Sequence, residues 1–124
     1  MEPKFYICEQ CRNITIMVKN SGIPVVCCSR KMTEIIPSTS GASAQKHIPV
    51  YQVENRTVTV TVGETAHPME PEHYIEWIVL STNQGIQQKW LQPGDAPTAQ
   101  FALGEDECVE AVYAFCNLHS LWKS

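Results

Sequence analysis

The sequence predicts a mainly β protein, in which a small metal-binding segment is followed by an antiparallel β-sandwich. Three observations support this prediction. Four of the six cysteines fall within the first 28 residues, one run alternates strictly between threonine and valine, and short β-rich stretches recur between turn signals along the rest of the chain. With 124 residues, the chain can hold a small domain together with a larger one.

The composition argues against several classes of function. Hydrophobic residues make up 44% of the chain and charged residues 18%, as in ordinary folded proteins. A net charge of −4 without a basic run argues against nonspecific binding to nucleic acid or membranes. No signal-peptide core is visible, and no stretch approaches the roughly 20 apolar residues of a membrane helix. We therefore expect a cytoplasmic protein, whose cysteines are more readily metal ligands or catalytic thiols than disulfides.

The N-terminal segment carries two pairs of cysteines, the first of them in a C-x-x-C motif. They are Cys8, Cys11, Cys27 and Cys28. Apolar stretches at 14–18 and 23–26, separated by a turn, predict a hairpin with two thiols at each end. Two such pairs close together in sequence indicate a four-sulfur site for zinc or iron. The alternative is a redox or disulfide pair, although the adjacent Cys27 and Cys28 are poor disulfide partners.

A boundary between two domains is expected near residue 36. Residues 1–36 cannot bury much apolar surface, so we expect a metal to act as their staple and the segment to be loose without it. Residues 37–46 are small and polar, a composition that predicts a linker. The chain therefore divides into a metal-binding domain, 1–36, and a larger domain, 37–124, that begins with this linker.

The larger domain reads as a series of short strands. Thr57–Val62 alternates, so its valines should face a core and its threonines the other side. Asn55 and Arg56 form a plausible hairpin turn before it. Further strands are expected at 48–53, 74–80, 86–91, 98–103 and 109–115. The last of these could also be a turn or two of helix, but Val109, Ala111, Tyr113 and Phe115 alternate onto one face and favour a strand. Such a series is typical of an antiparallel sandwich.

A second set of potential metal ligands lies in the larger domain. The chain has only four histidines, His47, His67, His73 and His119. A lone histidine is usually a surface or satisfied core residue. Here, however, two of them frame a loop stiffened by two prolines, and the last follows Cys116 by three residues. If the N-terminal cysteines hold one ion, these five groups remain for another. Five ligands exceed what tetrahedral zinc needs and favour iron with an open position for a small molecule.

One cysteine remains outside both sets. Cys108 is most simply a small buried or half-buried hydrophobic residue.

Several short motifs, taken together, resemble one known family. They are Phe5-Tyr6-Ile7-Cys8-x-x-Cys11, Val26-Cys27-Cys28, Lys46-His47-Ile48-Pro49-Val50, His67-Pro68-Met69, His73-Tyr74-Ile75 and Cys116-Asn117-Leu118-His119. This combination is similar to desulfoferrodoxin, the two-iron form of superoxide reductase, over essentially the whole chain. The resemblance implies a desulforedoxin-like N-terminal domain with a four-cysteine iron, joined to an immunoglobulin-like β-sandwich that carries the catalytic iron. It also implies a homodimer and a rubredoxin-type electron donor.

The resemblance also implies roles for the second set of ligands. The equatorial imidazoles would be those of His47, His67, His73 and His119. Cys116 would be the axial thiolate opposite the open position. The implied activity is the one-electron reduction of superoxide to hydrogen peroxide, which detoxifies superoxide. Lys46 would guide the anion and organise a proton-bearing water; without the resemblance it reads as an exposed linker lysine.

The sequence departs from the family at three notable positions. Gln45 stands where the family usually has a Glu that can cap the oxidised iron. A neutral amide is a poorer ligand for ferric iron, so we expect a more open or water-bound resting site. Arg12 and Ser29 stand where glycines usually follow the two cysteine pairs, which bears on the local turn geometry and not on the sulfur ligands.

Two other classes of function fit parts of the sequence. An electron carrier that works only through the four-sulfur iron would leave the four histidines and Cys116 without a role. A zinc-stapled binding module with a β-sandwich would be colourless. Absorption from thiolate-to-iron charge transfer, together with superoxide consumption without oxygen evolution, would separate these classes.

Overall fold

The computed structural model describes residues 2–124 and is built almost entirely from β-strands. The chain forms two compact units, a first unit that ends at Ile36 and a second unit, Pro37–Ser124. Among the described residues, no helix is long and apolar enough to cross a membrane.

The first unit consists of five short strands. They are β1 (Phe5–Ile7), β2 (Ile14–Ile16), β3 (Val26–Cys27), β4 (Arg30–Lys31) and β5 (Thr33–Ile35). Strand β1 is central, with β2 and β5 antiparallel on its two sides, and β3 and β4 form a separate hairpin. The buried apolar side chains of this unit are few: Phe5, Ile7, Cys8, Met32 and Ile35.

The predicted hairpin between residues 14–18 and 23–26 is wrong. Strand β2 pairs with β1, with Phe5 opposite Ile16, and β3 pairs with β4, with Val26 opposite Lys31. Each cysteine pair lies at a tight turn, so the strands on either side of that turn pair with each other. The two thiol pairs therefore lie at the ends of two separate hairpins.

The second unit has one short helix and seven strands. They are α1 (Ala44–His47), β6 (Pro49–Glu54), β7 (Thr57–Val62), β8 (Ile75–Thr82), β9 (Gly85–Trp90), β10 (Thr98–Ala102), β11 (Val109–Cys116) and β12 (Ser120–Lys123). A three-stranded sheet has the order β10-β7-β6, and a four-stranded sheet has the order β12-β11-β8-β9, with all pairs antiparallel. The result is the predicted immunoglobulin-like sandwich.

The core of the sandwich confirms the predicted alternation in β7. Val58, Val60 and Val62 are fully buried, whereas the threonines between them are only partly covered. The valines belong to one apolar cluster with side chains of the other sheet, including Ile78 and Val112. The predicted turn at Asn55 and Arg56 is also confirmed, because β6 and β7 pair up to Glu54 opposite Thr57.

Strand β11 confirms the predicted strand, but its burial does not alternate along the chain. Val112, Ala114 and Cys116 belong to the core cluster, and Tyr113 and Phe115, which alternate with them, are equally buried. Side chains of the neighbouring strands cover the second face, because Phe115 stacks on Trp77 of β8 and the Lys123 ammonium lies 5.7 Å from the centroid of the Tyr113 ring. A strand covered on both faces has no polar face and therefore no simple alternation.

The segment 37–46 is bound to the sandwich through its backbone. The Ser38 N–H donates to the Leu121 carbonyl (2.9 Å), and the Lys123 N–H donates to the Ser38 carbonyl (3.0 Å). Its last residues belong to α1. These bonds anchor the chain at β12 shortly before His47.

The expectation of a buried or half-buried Cys108 is wrong, because its side chain is exposed. Cys108 follows a turn in which Asp106 adopts a φ of 58°, and its N–H donates to the Asn83 side-chain oxygen at 2.8 Å. Its backbone is thus held by a polar contact while its thiol faces solvent.

Candidate metal centres

The first cluster brings together the four thiols of the first unit. The ligand atoms of Cys8, Cys11, Cys27 and Cys28 all lie within 4.8 Å of one another. The sulfur atoms of Cys11 and Cys27 are 3.5 Å apart. The Cys11 N–H donates to the Cys8 sulfur (3.5 Å), and the Asn13 amide nitrogen lies 3.8 Å from the Cys27 sulfur. The two hairpin turns therefore aim four sulfurs at one point.

The ionisation of these thiols fits a bound cation. The backbone N–H of Cys11 is the main cause that lowers the pKa of Cys8 to about 6. Hydrogen bonding with Cys11 and then Cys8 raises the pKa of Cys28 to about 12 and also raises that of Cys27. Crowded thiols cannot all ionise without positive charge between them, and a metal ion supplies that charge. A four-sulfur set is the ligand set of structural zinc or of iron.

The turns of the first cluster keep a backbone conformation that suits glycine. Arg12 has a φ of 70°, Cys28 of 53° and Ser29 of 61°. The departures at Arg12 and Ser29 thus leave side chains in the left-handed region, which costs about 1–2 kcal/mol for an ordinary L-residue. The sulfur ligands are nevertheless brought together.

The second cluster forms at one end of the sandwich. In the three-stranded sheet, Pro49 pairs with Val62, so the start of β6 meets the end of β7. In the four-stranded sheet, Cys116 pairs with both Ile75 and Ser120, so the end of β11 meets the starts of β8 and β12. The segments that leave these strand ends carry the candidate ligands His47, His67, His73, Cys116 and His119. Residues far apart in sequence are thereby gathered at one place.

The four imidazoles form a ring. Neighbouring ring centroids are separated by 4.6 Å (His47–His67), 4.7 Å (His67–His73), 5.2 Å (His73–His119) and 4.9 Å (His119–His47). The His47–His73 distance, 6.4 Å, is longer than every side, as expected for a diagonal. The arrangement is therefore roughly square and not tetrahedral.

The thiol of Cys116 lies close to all four imidazoles. Its sulfur is within 4.8 Å of the ligand nitrogens of His47, His67 and His73, and 3.7 Å from Nδ1 of His119. The side chain is fully buried in the core cluster. Burial raises the pKa of this thiol, while hydrogen bonds from the backbone N–H groups of Leu118 and His119 oppose that rise. The sulfur is thus prepared to carry negative charge once a cation lies beside it.

Two imidazoles present bare nitrogen lone pairs to one another. Nδ1 of His47 lies 2.9 Å from the Ser43 carbonyl, and Nδ1 of His67 lies 2.7 Å from the Pro68 carbonyl. Both Nδ1 atoms therefore carry the hydrogen, which leaves the two Nε2 lone pairs facing each other at 3.1 Å. Burial lowers the pKa of His67 to about 4 and lowers that of His47 as well, so protonation does not relieve this contact near neutral pH.

A third imidazole nitrogen also lacks a protein partner. Nε2 of His73 is buried and makes no hydrogen bond. A buried polar atom without a partner is costly, and a metal ion would satisfy it together with the paired lone pairs of His47 and His67. Four nitrogens in a square with a sulfur beside them suit an ion with five or six ligands, which favours iron over tetrahedral zinc.

The two remaining predicted site residues lie on α1 next to His47. Lys46 and Gln45 are both exposed. The positive charge of Lys46 contributes to the lowered pKa of His47, so it is close enough to act on the cluster. The Gln45 backbone carbonyl accepts a hydrogen bond from the Thr65 N–H at 3.0 Å. Both residues therefore directly precede His47 on α1, and their side chains are open to solvent.

Sequence reasoning missed two residues that organise the second cluster. Asn117 accepts a hydrogen bond from the Tyr74 N–H (2.9 Å) and donates one to the Glu72 carbonyl (3.0 Å), so it holds the peptides on both sides of His73. The signal was its place between Cys116 and His119, because asparagine side chains commonly bond to turn backbones. Trp122, three residues after His119, stacks on His47 and has no comparable sequence signal.

Comparisons with known proteins agree with this geometry. The family model described as Desulfoferrodoxin matches residues 39–124. The desulfoferrodoxin of Nitratidesulfovibrio vulgaris is 40% identical over 121 residues, which cover 98% of this chain and 94% of that one. A desulfoferrodoxin homologue of Archaeoglobus fulgidus is 40% identical over 119 residues, 96% of this chain and 94% of its own.

Solved structures resemble the whole chain or a large part of it. The crystal structure of the superoxide reductase from Treponema pallidum matches with a TM-score of 0.84 and 39% identity, covering 99% of this chain and 97% of that chain. The one-iron superoxide reductase of Giardia intestinalis matches with a TM-score of 0.56 and 28% identity, covering 64% of this chain and 95% of that one. Similarity in sequence and fold extends across both ligand clusters, and on this ground the chain belongs to the desulfoferrodoxin family.

Proposed function

We propose that this protein is a superoxide reductase, which adds one electron and two protons to superoxide and releases hydrogen peroxide. The iron for this reaction would be held by His47, His67, His73, His119 and Cys116. A second iron would be held by Cys8, Cys11, Cys27 and Cys28. The observation that carries the proposal is the square of four imidazoles with the buried thiol of Cys116 beside it.

The iron, when bound, supplies the electron that superoxide takes up. The chain prepares the site in two ways. The Nδ1 contacts of His47 and His67 orient both rings and keep their Nε2 atoms free as ligands. Neutral imidazoles leave the net positive charge of the ion only partly compensated, so the site attracts a small anion even in an acidic protein.

Cys116 distinguishes this site from a plain histidine site. A thiolate ligand gives electron density to the metal it binds. The backbone N–H groups of Leu118 and His119 hydrogen-bond to this sulfur and moderate that effect. Because Cys116 is fully buried, water and solutes have no access to the sulfur itself.

Lys46 is the proposed residue for substrate guidance and proton supply. It is exposed and next to His47, and its charge acts on that imidazole. A mobile ammonium group at this position would draw superoxide towards the site and hold a proton-bearing water there. Replacement by a neutral residue should slow the reaction most at low ionic strength.

Gln45 is the proposed reason for a more open resting site. An amide is a weaker ligand than a carboxylate for an oxidised, hard ion. Gln45→Glu should change the ferric spectrum and lower the affinity for added anions. An unchanged spectrum together with unchanged anion affinity would contradict this role.

The proposed assembly is a homodimer that receives electrons from a rubredoxin-type protein. In the first unit Val18, Ile23 and Val26 are exposed apolar residues, and in the second unit Val50 and Val53 are exposed on β6. A partner that covers some of these side chains would remove apolar surface from water. Sedimentation should give twice the mass of the 13.9 kDa chain. We also propose a cytoplasmic location, because a reducing compartment keeps the five proposed thiolate ligands from forming disulfides.

The deciding experiment compares Cys116→Ala with Cys108→Ala. Cys116→Ala should remove superoxide reduction and one thiolate-to-iron absorption band, while the four-sulfur band remains. Cys108→Ala, which changes an exposed thiol outside both clusters, should leave both bands and the activity intact. Superoxide consumption must occur without oxygen evolution.

Two results would overturn the proposal. A purified parent protein without iron and without colour would instead fit a zinc-stapled binding module. Iron only at the four-sulfur site, with no superoxide consumption, would fit an electron carrier.

A further inference from the structure

Trp122 lies where two of the proposed iron ligands approach each other. It is part of β12, is 7% exposed, and pairs with Ala114 of β11. The backbone on both sides of it is fixed by the bonds between Ser38 and residues 121 and 123. Its side chain therefore extends from a well-anchored strand.

The indole makes two different contacts. Its ring stacks on the imidazole of His47, with centroids 4.8 Å apart and planes inclined by 22°. Its Nε1–H donates a hydrogen bond to the carbonyl oxygen of His119, at 3.0 Å. One side chain thus contacts two ligands that are 72 residues apart in sequence and lie side by side in the ring of imidazoles.

These contacts supply restraints that the two histidines otherwise lack. The ring of His47 is tied at Nδ1 to Ser43, but that bond still permits tilting, which a stacked indole opposes. His119 is exposed and lies in the short turn between β11 and β12. The N–H and the imidazole of His119 both face the Cys116 sulfur. The hydrogen bond from Trp122 to the His119 carbonyl therefore also restricts the motion of these two groups.

We propose that Trp122 is a positioning residue that couples His47 to His119 and thereby holds the geometry of the four-imidazole site. This inference rests on the proposed function, because it concerns the iron assigned to that site. The role has two separable parts, the stacking on His47 and the hydrogen bond to His119. Trp122→Phe keeps an aromatic ring and removes the hydrogen bond, whereas Trp122→Leu removes both.

Trp77→Phe provides a matched control. Trp77 is a buried tryptophan of the same four-stranded sheet, 9% exposed, and its ring stacks on that of Phe115, with centroids 5.3 Å apart. Its substitution also replaces a buried indole by a smaller ring, but the stacking partner of Trp77 is Phe115, whereas that of Trp122 is His47. The four-sulfur centre of each variant serves as an internal reference for iron loading.

The experiment measures iron retention and spectra of the iron-loaded proteins. Trp122→Phe should release iron from the imidazole site to a chelator about tenfold faster than the parent, and Trp122→Leu faster still. The ferric electron paramagnetic resonance spectrum and the Cys116-to-iron band should shift in both. In Trp77→Phe, iron release should stay within about twofold of the parent, with unchanged spectra.

Each outcome separates the inference from the proposed function. If Trp122→Phe retains iron like the parent with an unchanged spectrum, or if Trp77→Phe releases iron as fast as Trp122→Phe, the positioning role is wrong while the proposed function stands. If the parent protein itself holds no iron at the imidazole site, the proposed function fails first. Should Trp122→Leu not fold, the comparison of the two Phe variants still decides.

Discussion

The two ligand clusters of this protein are held in opposite ways. In the first unit, the four thiols lie on two hairpin turns, and Cys11 and Cys28 are exposed. In the sandwich, Cys116 is part of the apolar core, and His47 and His67 are only 2% and 3% exposed. The first cluster is thus built on turns beside a small core, and the second is built into the end of a large one.

This difference indicates how far the folding of each unit depends on its metal. Three-residue strands and a handful of buried side chains contribute little stability. Metal binding must then supply much of the folding free energy of the first unit. In the sandwich, seven strands and a continuous core hold the segments that carry the ligands, so we expect this unit to fold without its ion.

Removal of both metals gives the largest expected effect. Structural metal binding is worth on the order of 10 kcal/mol to a small metal-stabilised domain. After reduction and chelation, the amide hydrogens of β1 should exchange freely, while those of β7 stay protected. Hydrogen exchange measured by nuclear magnetic resonance, with the metal-loaded protein as control, tests this difference.

Two other exchange patterns would contradict the expected difference between the two units. If β1 stays protected without metal, the core around Phe5 and Ile35 is sufficient to fold the first unit. If β7 loses protection together with β1, the sandwich also depends on its ion.

A smaller effect is expected from Gly63→Ala, which tests the preformed part of the second cluster. A Cβ at Gly63 would lie 2.8 Å from the Gln45 carbonyl oxygen and 2.9 Å from that of Ile48, and these backbone atoms flank Lys46 and His47. The contact must displace α1, so we expect a loss of about 2 kcal/mol in sandwich stability. Iron retention at the imidazole site should weaken as well.

Gly104→Ala is the control for this substitution. Its added Cβ would meet first the flexible side-chain oxygen of Glu107, at 3.4 Å. Urea unfolding and iron analysis should therefore separate the two variants, with the four-sulfur band unchanged in both. Equal stability and equal iron retention would mean that α1 adjusts without moving His47.

The sequence predicted the parts of this molecule in which local pattern and local structure coincide. The alternation of Thr57–Val62 describes a strand with one buried face, and its burial is as expected. The cysteines and histidines were recognisable as ligands because metals require those side chains. Strand β11 was harder, since burial on both faces removes alternation, and the pairing of β2 with β1 depends on turn closure and not on hydrophobicity.

The supporting residues of the site could not be predicted in the same way. Asn117 and Trp122 act through contacts with residues brought near by the fold, at Tyr74 and His47 respectively. The place of Asn117 between Cys116 and His119 indicates a bond to turn backbone, but no spacing reveals the partners of either residue, because these depend on the antiparallel pairing of β11 with β8 and β12. The ligands can therefore be predicted from the chemistry of their side chains, whereas the residues that support them depend on the fold.

Arg12→Gly tests how much backbone strain the first hairpin turn carries. Relief of the left-handed conformation at Arg12 is worth about 1–2 kcal/mol. The greater freedom of glycine in the unfolded chain opposes this by about 0.5–1 kcal/mol, so a net gain of roughly 0.5–1 kcal/mol is expected. The measurement is the urea midpoint for loss of the four-sulfur band.

Asn55→Gly is the corresponding substitution in the sandwich. Asn55 also has a positive φ, 51°, but asparagine tolerates this conformation better than arginine does. We expect little or no gain there. A larger gain at Asn55 than at Arg12 would contradict the expected difference between asparagine and arginine in this conformation.

The smallest expected effect concerns Glu107, in the loop between β10 and β11. The Glu107 carboxylate accepts hydrogen bonds from the Thr82 hydroxyl (2.6 Å) and the Gly104 N–H (2.7 Å). These bonds, that from Thr82 first, lower the pKa of Glu107. A carboxyl whose pKa is lower in the folded state stabilises the fold above its unfolded pKa, about 4.3, and loses that contribution as the pH falls through the folded value. Glu107→Gln should remove this part of the acid sensitivity.

The measurement is the urea midpoint of the sandwich between neutral pH and pH values below the ordinary carboxyl range, in parent and variant. The gap between parent and Glu107→Gln should be widest at neutral pH and close as the pH falls, because protonated Glu107 is also neutral. Glu105→Gln removes a carboxylate of the same loop without touching the Thr82 contact, so its curve should run parallel to that of the parent. A constant gap for Glu107→Gln would mean that the contact with Thr82 acts through packing and not through charge.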